Sequence, residues 1–285
     1  MSTPDPATND ERKEEMRRNW AERAVVWRTM TGARGGMWQA ATDLMIDALA
    51  VRPGMRVLDV ASGPGEPALS IAAAIAPDGQ VTATDLTPEM LASAEENARA
   101  RGVANIAFRQ ADAESLPFPD GSFDAVTCRF GAMLFPDIQK ALGEMRRVLV
   151  PDGRVVCLIW GPPERNAQMR PLAIVRRYVD LPVPAPGEPH RFRFSTPGEL
   201  AEHLRVAGFQ QVEETTDDIA MQWHGTAEEQ WEAMLKNNRR MAAAVAALAP
   251  TQHAELTREV LDAIRAEERH EGGGTAAVIL VTGRR

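Results

Sequence analysis

Short apolar runs alternate with longer segments of helical periodicity along most of this chain. The runs have the length of strands and are bounded by glycine, proline or aspartate. We expect strands over residues 57–60, 81–86, 105–112, 124–129, 154–160, about 211–223 and 276–282. Strands that alternate with helices are typical of an α/β fold with a largely parallel sheet.

Helical periodicity predicts helices over residues 11–30, 37–50, 88–101 and 137–149. The third has clear boundaries, with Thr87 at the N-cap position, Pro88 at the first position and Gly102 after its end. Two later segments open with Thr-x-x-Glu capping boxes, at Thr196 and at Thr226, and each predicts a further helix.

Two insertions interrupt the strand pattern. The chain is therefore divided into N-terminal helices over 1–50, a core over 51–160, an insertion over 161–195, and the C-terminal part of the core over 196–285. That last part contains a helical cap insertion over 226–270. Together with Trp20 and Trp27 of the first helix, we expect the insertions to close over a site at the sheet edge as a lid.

A glycine turn follows the first apolar strand. Residues 57–60 lead into Gly63 and Gly65, and the next strand ends in the carboxylate Asp85. A strand, a glycine turn, a helix and a second strand with an acidic end are how an α/β sheet builds a nucleoside-binding crevice. The pattern therefore indicates an adenosine-containing cofactor, against the alternative of a tight turn without special chemistry.

The same turn also satisfies a dinucleotide fingerprint, Gly63-x-Gly65-x-x-Ala68, so a nicotinamide cofactor is an alternative. Two residues favour a cation over a diphosphate. Asp59 brings a carboxylate to the end of the strand, and Pro64 removes a backbone N–H that a phosphate would need. S-adenosylmethionine carries a sulfonium and an ammonium and no phosphate, and it is the favoured cofactor.

The third strand ends in Asp112, whose carboxylate can accept a hydrogen bond from an adenine amino group, as Asp85 can accept from ribose hydroxyls. Residues 112–124 then spell DAESLPFPDGSFD. With these motifs the chain resembles class I S-adenosylmethionine-dependent methyltransferases, most closely the ubiquinone/menaquinone-biosynthesis type. The resemblance covers about residues 50–160.

The resemblance implies a Rossmann-like, seven-stranded, mostly parallel sheet with helices on both faces. It also implies a role for each matching position. The methionine part of the cofactor would lie against Ala61, Ser62 and Gly63, and the ribose would be held by Asp85. The adenine would be flanked by Leu86 and Met90 and met at its edge by Asp112 and Ala113. The transferred methyl group would be bordered by Arg129 and Phe130. Ser62 and Pro64 depart from the usual residues of the family, which makes the turn stiffer without forbidding binding.

For methyl transfer, the protein mainly has to position the acceptor and to exclude water. A phenol or enol acceptor must also lose a proton, and histidine is the usual base near neutral pH. The candidates are His190 and His224, in regions that adjoin the pocket in the resembling family. Each is also open to a purely structural role.

Composition agrees with a globular enzyme of 285 residues, of which 44% are hydrophobic and 25% charged. A net charge of −8 and a pI near 5.3 disfavour extended contact with nucleic acid. Cys128 and Cys157 fall in predicted strands and are expected to be buried and reduced, and without a C-x-x-C or a histidine pair no metal site is predicted. A polar N-terminal segment and the lack of a long apolar run predict a cytoplasmic protein without a membrane span.

Three functions remain. The favoured one is methyl transfer from S-adenosylmethionine, which leaves S-adenosylhomocysteine, to an oxygen, carbon or nitrogen of an aromatic, quinone-like, polyketide or terpenoid metabolite. The alternatives are a nicotinamide-dependent oxidoreductase and a regulatory protein that binds the nucleoside without catalysis. The acceptor and the oligomeric state are left open.

Overall fold

The computed structural model describes residues 8–31, 36, 38–185, 187–221, 223, 225–268 and 274–285. Its strands are β1 (Arg56–Val60), β2 (Gln80–Asp85), β3 (Ile106–Gln110), β4 (Phe123–Arg129), β5 (Leu149–Trp160), β6 (Gln210–Met221) and β7 (Gly274–Arg284). Its helices are α1 (Asn9–Thr31), α2 (Gln39–Leu49), α3 (Ala68–Ile75), α4 (Pro88–Arg101), α5 (Ile138–Val148), α6 (Met169–Tyr178), α7 (Glu199–Val206), α8 (Ala227–Asn237), α9 (Arg239–Ala246) and α10 (Pro250–Glu268).

The described strands form one seven-stranded sheet in the order β3-β2-β1-β4-β5-β7-β6. The pairs from β3 to β5 are parallel, and β7 runs antiparallel to both β5 and β6. This confirms the predicted α/β fold with a mostly parallel sheet. The order of strands reverses between β1 and β4, and open α/β sheets bind their ligands at such a point, beyond the carboxyl ends of the strands.

The sheet is stabilised by a core of fully buried aliphatic side chains on its central strands and on the helices that pack against it. Leu58 of β1, Leu142 of α5 and Leu158 of β5 are each inaccessible to solvent. Cys128 and Cys157 are register partners on β4 and β5, and both are free and buried, as predicted. Burial raises the pKa of the Cys157 thiol to about 12, so it stays protonated and unreactive.

A second, smaller core lies outside the sheet, where α6, α8, α9 and α10 pack together. Its buried members include Val175, Trp231, Met241, Leu256 and Val260. The sequence prediction placed an insertion over 161–195 but did not assign a helix to it, whereas the structure has α6 there. We call these helices the helical cap. Within the described residues, no helix combines the length and apolarity that crossing a membrane requires.

The capping box predicted at Thr196 is wrong. Gly198 is the N-cap of α7, at φ +93°, and no side chain caps the helix there. The amide of Gly198 donates to the Glu214 carboxylate at 2.7 Å, and glycine adopts this left-handed conformation at little cost. The tertiary contact with β6 therefore replaces the local cap.

The capping box predicted at Thr226 is confirmed. The Glu229 amide donates to the Thr226 hydroxyl at 3.2 Å, and the Thr226 amide donates to the Glu229 carboxylate at 2.8 Å. We expect Thr226→Ala to lower the free energy of unfolding by about 1 kcal/mol, because the first turn of α8 loses an acceptor. Urea unfolding measures the loss, and Thr226→Ser, which keeps the hydroxyl, is the control. Equal losses in the two variants would contradict the prediction.

Candidate active site

A cavity opens at the carboxyl edge of the sheet, at the switch point between β1 and β4, with about 530 Å³ of empty space when its solvent-exposed mouth is included. The segment after β1 contributes Ala61, and the end of β2 contributes residues 85–87. Residues 111–114 after β3, and residues 131 and 134–136 after β4, form the opposite side. Parallel strands thus bring loops that are distant in sequence into one site, as the sequence predicted.

The remaining wall comes from α1, which presents Lys13, Met16 and Trp20 to the cavity. Their spacing of three and four residues puts them on one face of the helix. The sequence prediction placed two tryptophans of this helix near the site but missed the other two residues. Because α1 has little apolar periodicity, no local signal could have found Lys13 or Met16.

The turn between β1 and α3 has the left-handed backbone conformation that its glycines allow, with Gly63 at φ +52° and Gly65 at φ +112°. A Cβ on Gly65 would lie 2.8 Å from Cδ1 of Leu69, so the turn also packs tightly on its own helix. A Cβ on Gly63 would meet no atom within 4 Å. The turn therefore leaves open space at Gly63, which fits the predicted contact with a cofactor.

Asp85 is half-buried at the end of β2 and organises the loops around it. Its carboxylate accepts hydrogen bonds from the amide of Gly63 at 2.9 Å and from that of Thr87 at 2.8 Å. Burial raises the pKa of Asp85, although these backbone hydrogen bonds oppose the rise. Each carboxylate oxygen has a further lone pair, so Asp85 can still accept from two ribose hydroxyls.

Asp112 is held from two sides. Its Oδ1 accepts from the amide of Glu114 at 2.9 Å, and its Oδ2 accepts from the ammonium of Lys13 at 2.7 Å. The same ammonium lies 2.6 Å from Oε2 of Glu114, which is buried. Asp112 and Ala113 line the cavity, and their contact with an adenine edge stays a prediction. The ion pair with α1 is a feature that the sequence did not show.

Asp59 lies beneath the turn and not in the cavity wall. It is fully buried, and its Oδ1 accepts from the Thr127 hydroxyl at 2.6 Å, while its Oδ2 has no hydrogen-bond partner among the described residues. Burial raises the pKa of Asp59 to about 6. Direct contact with the cofactor therefore stays a prediction, and any attraction for a cation would act through the turn above it.

Of the other predicted cofactor residues, Leu86 lines the cavity, whereas several are not among the lining residues. The residues that do not line it are Ser62, Gly63, Gly65, Met90, Arg129 and Phe130. Arg129 is buried and donates to the Thr42 hydroxyl at 2.7 Å, which ties the end of β4 to α2. Their contacts with a cofactor stay predictions.

An aromatic cluster joins the ends of β4 and β5 to the N-terminal helices and consists of Trp27, Trp38, Phe130 and Trp160. Phe130 stacks on Trp160 with ring centroids 4.1 Å apart, and Trp38 meets both rings edge-on. Trp27 of α1 packs on Trp38 at 4.8 Å. This cluster links α1 to the sheet directly behind the cavity.

Within the described residues, the structure does not place either candidate histidine in the cavity. His190 is half-buried, its Nδ1 accepts from the amide of Phe192 at 3.2 Å, and burial lowers its pKa, assisted by the charge of Arg193. It does not line the cavity. His224 lies outside the described residues. A catalytic role for either histidine stays a prediction.

We expect the stability difference between Asp59→Asn and the unmodified protein to depend on pH. The pKa of Asp59 is about 6 in the folded protein and about 4 in the unfolded chain, so the unfolded chain loses this proton at a lower pH. The free energy of unfolding of the unmodified protein therefore falls as the pH rises from about 4 to about 6. Asparagine does not ionise and can still accept from Thr127. Measured by urea unfolding, the free energy of unfolding of the variant relative to that of the unmodified protein should rise by about 3 kcal/mol from pH 4 to pH 7. A difference that is constant with pH would refute this account.

The family model described as the ubiE/COQ5 methyltransferase family matches residues 33–179. A demethylmenaquinone methyltransferase of Thermus thermophilus is 50% identical over 112 residues, which cover 39% of this chain and 50% of that protein. One of Deinococcus radiodurans is 37% identical over 193 residues, which cover 63% of this chain and 78% of that protein. This chain thus spans half of the first relative and more than three quarters of the second.

The structure is also similar to that of the [4+2]-cyclase SpnF, with a TM-score of 0.60, 22% identity and 96% of each chain covered. That likeness concerns the fold alone, and it agrees with the Rossmann-like architecture. The resemblance to class I S-adenosylmethionine-dependent methyltransferases is confirmed by the family match and by the identity to both relatives. With its fold, its cavity and these matches, the chain belongs to the ubiE/COQ5 methyltransferase family.

Proposed function

We propose that this protein transfers a methyl group from S-adenosylmethionine to an aromatic or quinone-like small molecule. The observation that carries the proposal is the pair of carboxylates, Asp85 and Asp112, that face one cavity beside an open glycine turn. Both are acceptors, as ribose hydroxyls and an adenine amino group require. A diphosphate would instead meet negative charge there, which disfavours a nicotinamide cofactor.

The residues present fit the proposed donor along its whole length. Ala61, which lines the cavity, and the open turn at Gly63 after it suit the methionine part, Asp85 suits the ribose, and Leu86 with Asp112 and Ala113 suits the adenine. When bound, S-adenosylmethionine supplies an electrophilic methyl group. The chain itself binds and orients the two reactants, and α1, which forms one wall of the cavity, helps to exclude water.

The acceptor class follows from the other part of the cavity. Trp20, Leu134, Phe135 and Pro136 give it an apolar wall, and a flat ring buries its faces well against such side chains. The two relatives named above are called demethylmenaquinone methyltransferases, and their names agree with a quinone-like ring. The net charge of −8 favours a small acceptor over nucleic acid, and we place the reaction in the cytoplasm.

Calorimetry with S-adenosylhomocysteine and with NADH tests the cofactor. Methyl transfer is then assayed with 1,4-naphthohydroquinone and hydroquinone, and glycine serves as a small polar control. We expect binding of S-adenosylhomocysteine but not of NADH, and methylation of an aromatic acceptor but not of glycine. Binding of NADH alone would favour the oxidoreductase, and cofactor binding without transfer to any acceptor would favour the regulatory protein.

A further inference from the structure

We propose that Lys13 of α1 is a specificity-determining residue for the base of the methyl donor. Its ammonium and the Asp112 carboxylate form an adjacent donor and acceptor that together recognise the ring nitrogen and the amino group of adenine. This inference rests on the proposed function and extends it, since it assigns part of the nucleoside site to the N-terminal helix.

The ammonium of Lys13 occupies a defined position inside the cavity. It lies 2.7 Å from Oδ2 of Asp112 and 2.6 Å from Oε2 of Glu114, and its side chain is only 13% exposed. Lys13, Asp112 and Ala113 all line the same cavity. An ammonium has three N–H donors, and the two carboxylates use two of them, so a third remains for a ligand.

Glu114 makes this position rigid. Its Oε1 accepts from the amide of Asp137 at 2.9 Å, directly before α5, while its Oε2 binds Lys13. The carboxylate is buried and is held by both of these contacts. Burial lowers the pKa of Lys13, but hydrogen bonds and charge from Asp112 and Glu114 outweigh it and raise the pKa overall. Lys13 is therefore a cationic donor throughout the neutral range.

The two groups match the hydrogen-bonding edge of adenine. Adenine presents an amino donor next to a ring nitrogen that accepts, whereas hypoxanthine presents a carbonyl oxygen next to an N–H donor. With Asp112 at the amino position and Lys13 at the ring nitrogen, both contacts are favourable for adenine. Hypoxanthine would place its carbonyl oxygen against the Asp112 carboxylate, and sites built on such hydrogen bonds discriminate strongly.

The geometry also makes α1 part of the donor site. Since Lys13, Met16 and Trp20 share one helical face over the cavity, the base would lie between α1 and the loop after β3. Elsewhere α1 is attached by ion pairs at a distance from the cavity, such as Glu22 with Arg239 at 2.6 Å. That pair offers a matched control, because breaking it weakens the attachment of α1 without touching the cavity.

The test compares S-adenosylhomocysteine with S-inosylhomocysteine by calorimetry, in the unmodified protein and in Lys13→Met. We expect the unmodified protein to prefer the adenosyl compound by about 100-fold or more. Lys13→Met should weaken binding of the adenosyl compound by about tenfold and should not weaken that of the inosyl compound, because only adenine loses a hydrogen bond and the N–H of hypoxanthine no longer faces an ammonium. Glu22→Gln should leave the preference unchanged.

Unchanged or tighter binding of S-adenosylhomocysteine by Lys13→Met would overturn the inference, since the ammonium would then be a spectator or an obstacle. An equal loss of preference in Glu22→Gln would overturn it too, because the position of α1 and not Lys13 would be responsible. If Lys13→Met does not fold, Lys13→Ala, which also removes the N–H donors, carries the test with the same expected loss of about tenfold. Failure of the proposed function is distinguishable, because the unmodified protein would then bind neither compound.

Discussion

Replacing Asp85 with alanine is expected to weaken the binding of S-adenosylhomocysteine by about 100-fold or more. The carboxylate is the proposed acceptor for two ribose hydroxyls, and hydrogen bonds to a charged group contribute about 1.5–3 kcal/mol each. It also accepts from the amides of Gly63 and Thr87, so its loss frees the glycine turn and the start of α4 together. The variant therefore loses both a ligand contact and the shape of the site.

Calorimetry measures this loss, and circular dichroism checks that Asp85→Ala stays folded. Asp78→Ala is the control, since Asp78 is an exposed carboxylate just before β2 and away from the cavity lining. We expect the control to bind like the unmodified protein. A folded Asp85→Ala that binds S-adenosylhomocysteine within about threefold of the unmodified protein would show that the ribose lies elsewhere.

Replacing Trp160 with alanine is expected to lower the free energy of unfolding by about 3–5 kcal/mol, because a large buried ring is lost and a cavity remains. Trp160 is 4% exposed at the end of β5, stacks on Phe130 at 4.1 Å and meets Trp38 at 6.4 Å. Its removal leaves two aromatic partners without a packing surface and loosens the wall between the sheet and α1.

Urea unfolding followed by circular dichroism measures this effect. Trp160→Phe is the matched control, because a smaller ring can still stack on Phe130, and we expect it to cost about 1–2 kcal/mol. If Trp160→Ala lost less than about 1 kcal/mol, the aromatic cluster would not stabilise this end of the sheet.

The glycine turn and the acidic strand ends could be found from the sequence because their signals are local. Gly63 and Gly65 are needed where the backbone turns through positive φ, and Asp85 follows a buried strand directly. In a parallel sheet the carboxyl ends of neighbouring strands share one edge, so strand ends that are distant in the chain converge. Knowing the strands was therefore enough to place Asp85 and Asp112 in one site.

Other parts of the site carry no local signal. Asp59 has the right residue type at the right strand end, yet the structure buries it below the turn, bound to Thr127. The predicted cap at Thr196 gave way to a contact between Gly198 and Glu214 on another element. In both cases a contact with a residue distant in the sequence decided the outcome, and local sequence patterns contain no information about such contacts.

Residue types and their spacing along the chain determined the α/β class, the positions of most strands and helices, and the carboxylates that face the cavity, because each depends on neighbours within a few residues. The packing of α1 over the sheet edge decided the rest. Lys13 of α1 forms an ion pair with Asp112, which follows β3, and Trp27 packs on Trp38, which in turn meets Trp160 of β5. Such contacts exist only once the chain has folded, since the free energy that stabilises them comes from burial between distant segments.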